Sequence, residues 1–292
     1  MKKSMTVKSH FEQINLALVY VQNNFSSNIS AEDLAKESGY SIFHFHRIFK
    51  ELTGENVNNY IRNTRLEKAS NLLLYNQHKT IKMIALDCGF STATGFTQAF
   101  KNMFLMTPKD WRKGGYETKT SKSDIHMIKV ASTMLLPSPK IINNESISIL
   151  YMRVYKYEND ISSLWQDMYE WCEVMNVFKA PHKYIGLFHN HPSFLPYNTM
   201  RYSACIRTEE NTSRSGKVGR CKLSSGKFAK FEFTCTHSEL YKMMHLAYIK
   251  WLPASQYEAR NFPAYVEYKN PEQLLNNGVL NVDFYLPIQI VL

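Results

Sequence analysis

The chain repeats itself within its first hundred or so residues, and this constrains its fold more than any other feature. Leu34-Ala35 and Gly39 return as Ile84-Ala85 and Gly89, 50 residues on. Phe45, Arg47 and Phe49-Lys50 return as Phe96, Gln98 and Phe100-Lys101, 51 residues on, so the second copy has gained one residue. Each copy reads as a short helix, a glycine turn and a second helix with inward aromatics, the sequence form of a helix-turn-helix. In such a unit the second helix enters the DNA major groove and its neighbour steadies it on the backbone. A longer helix from about Asn58 to Tyr75, apolar at spacings of three and four, would hold the copies apart. Two recognition helices on one face of DNA lie about 34 Å apart, so a monomer could do what a two-fold dimer usually does.

Local signals agree with this pattern. Ser30 with Asp33 resembles a capping box for the first short helix, Ser41 is placed to cap the next, and Thr80 or a neighbour, then Ser91, open the corresponding helices of the second copy. GGYETKTSKSD, Gly114 to Asp124, is polar and aperiodic and reads as a linker. Beyond it the period changes. Ser148–Tyr157, Tyr184–His189, Tyr202–Ile206, Phe228–Thr234, Tyr265–Tyr268 and Val282–Pro287 read as strands, and Thr208–Lys222 as a loop. Helical stripes run from Ile161 to Met175 and from Leu240 to Trp251, which makes this part α+β. A length of 292 residues agrees with two domains.

Composition excludes some classes. MKKSMTVKSHFEQ carries charge with no apolar run after it, so no signal peptide is expected, and no run of 18 apolar residues occurs, which argues against a membrane span. The five cysteines are odd in number and form no CxxC pair, which favours a reducing, cytoplasmic setting. No βαβ pattern with a glycine-rich phosphate loop is present. The formal charge is +10, of which +6 lies in the first 120 residues; this fits a polyanionic partner without identifying one.

GYSIFHFHRIFK (Gly39 to Lys50) with Thr53-Gly54 resembles the first helix-turn-helix of the AraC/XylS transcription regulators. IALDCGFS (Ile84 to Ser91), Phe96, Phe100-Lys101 and Thr107-Pro108 resemble the second. The resemblance covers about 100 residues, Phe11 to Arg112, and implies an all-α tandem helix-turn-helix domain over 1–113 that binds double-stranded DNA. Base contacts carried over by position fall on Phe43, His46 and Arg47 in the first unit. In the second they fall among Ala93, Thr94, Gly95, Thr97 and Gln98, with Thr94, Thr97 and Gln98 the candidates. Arg47 could take guanine O6 and N7, and Gln98 adenine N6 and N7. The family commonly has Arg at the position of Gln98, so looser, more shape-driven reading is expected of this half. Lys50, Arg62, Lys79, Lys82 and Lys101 are the candidate phosphate contacts. Leu105 departs from the Gly often seen there, and its partner in the repeat is Gly54.

The second part resembles the GyrI-like effector-binding domain over most of Ile125 to Leu292, through IGLFH (Ile185 to His189), RYSAC (Arg201 to Cys205), GKFAKF (Gly226 to Phe231), WLPASQY (Trp251 to Tyr257) and FYLP (Phe284 to Pro287). This implies a duplicated strand-helix-strand-strand fold over 125–292, after a 114–124 linker, in a Rob-like architecture. Its cleft would take a small hydrophobic or cationic ligand. The candidate residues are Tyr151, Trp171, Phe188, His189, Tyr197, Trp251, Glu267 and Tyr268. The family pattern ends Pro-x-x-Glu-x-Tyr, whereas this chain has Pro263-Ala-Tyr-Val-Glu-Tyr268, so aligned on Pro263 and Tyr268 the acidic position is Val266. Either a slip restores Glu267 to the cleft or the cleft lacks its acid, because a one-residue shift on a strand turns a side chain to the opposite face.

No His/Cys cluster has metal-ligand spacing and no nucleophile–base pair stands out, so neither a metal, a cofactor nor catalysis is expected. The expected function is sequence-specific transcription regulation from the cytoplasm or nucleoid, as an effector-modulated activator that contacts RNA polymerase. Alternatives for the second part are a protein-interaction module or a weak hydrolase.

Overall fold

The computed structural model describes residues 2–115, 135–153, 161–177, 183–189, 201–208, 216–260, 262–276 and 278–290. They form two compact bodies, one made of residues up to 115 with Gly216–Gly219 and the other of the remaining described residues.

The first body is helical. α1 (Lys2–Asn24) precedes a first pair, α2 (Ala31–Glu37) and α3 (Ile42–Thr53). The long α4 (Val57–Tyr75) leads to a second pair, α5 (Ile81–Asp87) and α6 (Ala93–Phe104), and α7 (Pro108–Arg112) follows. Ser30 and Asp33 do form the capping box. α2 and α5 correspond at an offset of 50 and α3 and α6 at 51, so the extra residue lies in the second turn. Tyr40 and Phe90 occupy the same place, their N–H groups donating to the Ala35 and Ala85 carbonyls. Ser41 follows Tyr40 as N-cap without a side-chain bond, whereas Ser91 is the insertion and Thr92 caps α6 by accepting from the Gly95 N–H. The expectation that Ser91 opens this helix is corrected by one residue.

Packing follows the repeat. Phe45 and Phe49 of α3, like Phe96 and Phe100 of α6, are fully buried, and Ile14, Leu18, Leu66 and Leu73 complete the core around them. α7 is too short to show a period. Its Trp111 is buried against Phe100 and Phe104 and donates its indole N–H to the Ser70 carbonyl at 3.0 Å.

The second body is built on a sheet. Its strands are β1 (Lys140–Asn144), β2 (Ile147–Arg153), β3 (Tyr184–Phe188), β4 (Tyr202–Arg207), β5 (Gly219–Leu223), β6 (Gly226–Cys235), β7 (Tyr257–Ala259), β8 (Ala264–Tyr268) and β9 (Leu280–Ile290). Their order is β1-β6-β9-β8-β3-β4-β2-β5, with β7 on β9. α8 (Ile161–Val174) follows β2; α9 (His237–Leu246) and a π-helical turn at Ala247–Trp251 follow β6. Hence β2-α8-β3-β4 and β6-α9-β8-β9 are two strand-helix-strand-strand units, joined where β3 pairs antiparallel with β8. Gly186 pairs with Ala204 in one unit, and Val266 with Phe284, 80 residues on, in the other. The expected loop over Thr208–Lys222 is partly corrected, since Gly219–Leu223 is strand β5. Its polar residues Arg220 and Lys222 are tolerated because β5 ends the sheet. No described helix is long and apolar enough to cross a membrane.

Candidate nucleic-acid interface and effector face

α3 and α6 turn one stripe inward and leave the other exposed. On α3 the outward set is Phe43, His46, Arg47 and Lys50, with Phe43 88% exposed. A phenyl ring this exposed packs little within the chain, and suits contact with a thymine methyl. A guanidinium nitrogen of Arg47 lies 3.2 Å from Nδ1 of His44, whose ring meets Tyr40 and His10 edge-on. His10 Nδ1 and the Tyr40 hydroxyl are 2.6 Å apart, and burial lowers the His10 pKa.

The 51-residue offset puts Thr94, Thr97, Gln98 and Lys101 at the α6 positions of Phe43, His46, Arg47 and Lys50. Thr94, Gln98 and Lys101 are exposed. Thr97 is half-buried and its hydroxyl donates to the Ala93 carbonyl at 2.8 Å, while Gln98 donates to Asn102 Oδ1 at 3.0 Å. Short uncharged groups, two already tied to their own helix, make this the plainer of the two surfaces.

Among the other basic candidates, Arg62 is exposed and donates to Asn59 Oδ1 at 2.9 Å, and Lys82 is exposed on the first turn of α5. Lys79 is partly buried and paired with Asp87 at 3.1 Å, bracing the two ends of α5. Arg65 has a structural task that the sequence did not signal: it donates to the Phe25 and Ser27 carbonyls at 2.7 and 2.8 Å.

In the second body, strand alternation sorts the candidates onto two faces. Both long helices lie on one face: Trp165 of α8 meets Tyr184 and Tyr268, Tyr241 of α9 meets Phe188, and Trp251 meets Phe231. Phe188, Trp251 and Tyr268 therefore belong to the helix-covered side, with Val266 buried beside them in register opposite Gly186. Trp171 lies half-buried on α8, on this side too. There the Trp165 indole N–H donates to the Tyr202 hydroxyl at 3.0 Å, which is 3.4 Å from that of Tyr268.

Glu267 faces the other way. Its row across the sheet runs Glu232, Asp283, Glu267, Ile185, Cys205, Tyr151, and the next row runs Lys230, Tyr285, Tyr265, Leu187, Ser203, Arg153. Tyr151, His189 and Glu267 are thus the expected effector residues on this face; His189 Nε2 is 2.8 Å from the Ser203 hydroxyl. Tyr197 lies outside the described residues. Grouping Glu267 with Tyr268 is corrected, since neighbours on a strand point oppositely. The same alternation pairs Glu267 instead with Tyr265, which sequence reasoning passed over.

Tyr265 and Tyr285 stack at 4.4 Å and 15°, and burial raises both phenols, so they stay neutral. The Tyr285 hydroxyl donates to Glu267 at 3.4 Å and Asn144 donates to the Tyr265 hydroxyl at 2.8 Å. Lys183 pairs with Glu267 at 2.7 Å; Lys230 and Lys269 pair with Asp283 at 2.8 and 2.6 Å. Hydrogen bonds from Lys230 and Lys140 bring Glu232 down to about 2. Among the described residues no three His, Cys, Asp or Glu side chains converge as a metal site.

A tandem helix-turn-helix followed by a duplicated strand-helix-strand-strand body defines a two-part regulator class. Comparison with known proteins gives the same division: a helix-turn-helix domain family matches residues 34–114, and the GyrI-like small molecule binding domain matches 137–289. The chain belongs to the GyrI-like small molecule binding domain family through its second part, and its first part is a helix-turn-helix domain of the AraC/XylS type.

The uncharacterized HTH-type transcriptional regulator YbfP of Bacillus subtilis is 30% identical over 190 residues, 64% of this chain and 63% of that protein. The Transposon Tn10 TetD protein of Escherichia coli is 36% identical over 104 residues, 36% of this chain and 75% of TetD. The right origin-binding protein of Escherichia coli K12 is 34% identical over 96 residues, a third of either chain. An AraC-type transcriptional regulator structure from Chromobacterium violaceum matches 35% of this chain and 89% of that one, at 31% identity and a TM-score of 0.33.

Proposed function

We propose that this protein is a sequence-specific transcription regulator that reads an asymmetric duplex site through α3 and α6 and is modulated by a small molecule on its GyrI-like domain. The observation that carries the reading is the pair of equal 12-residue helices, offset by 51 residues, α3 burying Phe45 and Phe49 and α6 burying Phe96 and Phe100, each with a largely polar stripe exposed. Two such helices held by one chain can read two adjacent major-groove segments without dimerisation. Arg47, with Phe43 and His46, reads bases in one segment; Thr94 and Gln98 read more weakly in the other. Lys50 and Lys101, at matching ends of the two helices, hold the backbone.

Residues 1–113 act as reader and 125–292 as sensor. Effector control is supported by the GyrI-like match and by the sheet face opposite the two long helices, which carries Glu267, Tyr265 and Tyr285. Activation through contact with RNA polymerase, in the cytoplasm, is the mode proposed for it. Selection of bound sequences from a random duplex pool with purified protein tests the proposal. An asymmetric motif in two blocks about one helical turn apart supports it, with stronger preference in one block. Enrichment of no motif sinks it.

A further inference from the structure

On the sheet face opposite the two long helices, Glu267, Asp283 and Glu232 each hold a lysine. Lys183, immediately before β3, reaches across to Glu267 on β8 at 2.7 Å. Asp283 holds Lys230 and Lys269, and Glu232 holds Lys230 and Lys140. Three carboxylates thus carry four ammonium groups. Glu267, the acid nearest the junction of the two halves, has 16% of its side chain exposed, against 46% for Lys183. The lysine therefore forms the outer layer and the carboxylate the inner one, so an incoming ligand meets the ammonium first.

We propose that Lys183 is a built-in cation on the effector face, and that the ligand accepted there is anionic or uncharged at this end rather than cationic. This rests on the reading of that face as the effector site. A cation would have to displace Lys183 from a 2.7 Å pair, or sit beside it and meet like charge; an anion meets an ammonium with donors to spare, since Lys carries three. The one-residue offset of the acid is part of the same arrangement. Glu267, and not Val266, turns to the face opposite the two long helices, where Lys183 can reach it.

The isosteric pair tetraphenylphosphonium and tetraphenylborate tests charge preference at constant shape, with binding to the full chain followed by calorimetry. The wild type should bind the borate at least tenfold more tightly. Lys183→Met should raise phosphonium affinity about tenfold and lower that of the borate. Adding Glu267→Gln should remove the phosphonium gain, and Lys183→Arg should keep the wild-type preference. Glu267→Gln alone, which keeps the shape and frees the ammonium, should strengthen borate binding. Adsorption elsewhere on this basic chain would respond to none of these changes, and a borate preference indifferent to them overturns the proposal. So does equal or tighter phosphonium binding by the wild type, although such binding, if lost on Glu267→Gln, leaves the effector-site reading intact. If neither ion binds any variant, the effector-site reading fails and the proposal falls with it.

Discussion

Arg47 reaches back one turn of α3 to His44, its guanidinium nitrogen 3.2 Å from the imidazole Nδ1. Arg only donates, so Nδ1 is the acceptor and the pair requires that nitrogen to be unprotonated. The contact orients the guanidinium while leaving most of its donors exposed. Arg47→Ala should cost about 1–3 kcal/mol on cognate DNA and relax preference at one or two base pairs. Lys50→Ala should weaken cognate and scrambled DNA alike and lower the salt slope by about 1. Titrations of both DNAs at several salt concentrations check this; equal losses on the two DNAs for Arg47→Ala would remove it as a base reader.

Leu105 and Gly54 close α6 and α3 in the same left-handed conformation, at φ 57° and φ 81°. An L-residue with a β-carbon costs about 1–2 kcal/mol there, and Leu105 is 68% exposed, so little packing compensates. Leu105→Gly should stabilise the helical body by about 1 kcal/mol, and Gly54→Ala should destabilise it similarly. Thermal unfolding followed by far-ultraviolet circular dichroism should show opposite shifts of a few degrees.

The helical body was almost wholly legible because its signals are local. Caps such as Ser30 and Thr80, glycine turns and buried phenylalanines each lie within a turn or two of what they determine. The slip at the start of α6, Ser91 for Thr92, arose because an inserted residue left two capping types side by side. The sheet body was legible as strands and helices but not as a site. Which face Glu267 shares with Tyr285 depends on register between β8 and β9, strands brought together by the fold. Its pairing with Lys183, 84 residues away in sequence, had no local signal at all.

Gly186 sits beneath the two tyrosine hydroxyls of the helix-covered face. A Cβ added there would lie 2.5 Å from the Tyr202 hydroxyl and 2.8 Å from that of Tyr268. Both rings are buried, and Tyr202 is fixed by the Trp165 indole, so neither can swing away at little cost. Gly186→Ala should cost about 1–3 kcal/mol of overpacking. Combining it with Tyr202→Phe, which deletes the nearest atom, should recover part of the loss in urea unfolding; simple addition of the two effects would contradict the steric account.

His245 on α9 is 2% exposed, and burial lowers its pKa to about 4. The unfolded chain takes up this proton near pH 6.5 but the folded chain refuses it until about pH 4, so between these values the unfolded state binds more protons. This contribution is therefore constant above about pH 6.5, is lost progressively as the pH falls towards 4, and falls no further below that. The slope for one group is at most about 1.4 kcal/mol per pH unit. His245→Leu keeps a buried apolar side chain and removes the proton site, so its stability should fall less steeply than the wild type's between pH 6.5 and 4. Urea unfolding at pH 7 and pH 5 measures the difference, followed by tryptophan fluorescence, to which Trp165, Trp171 and Trp251 of the second body contribute. Identical acid slopes for the two proteins would show that His245 is already protonated when folded, and a steeper slope in the variant would reverse the sign argued here.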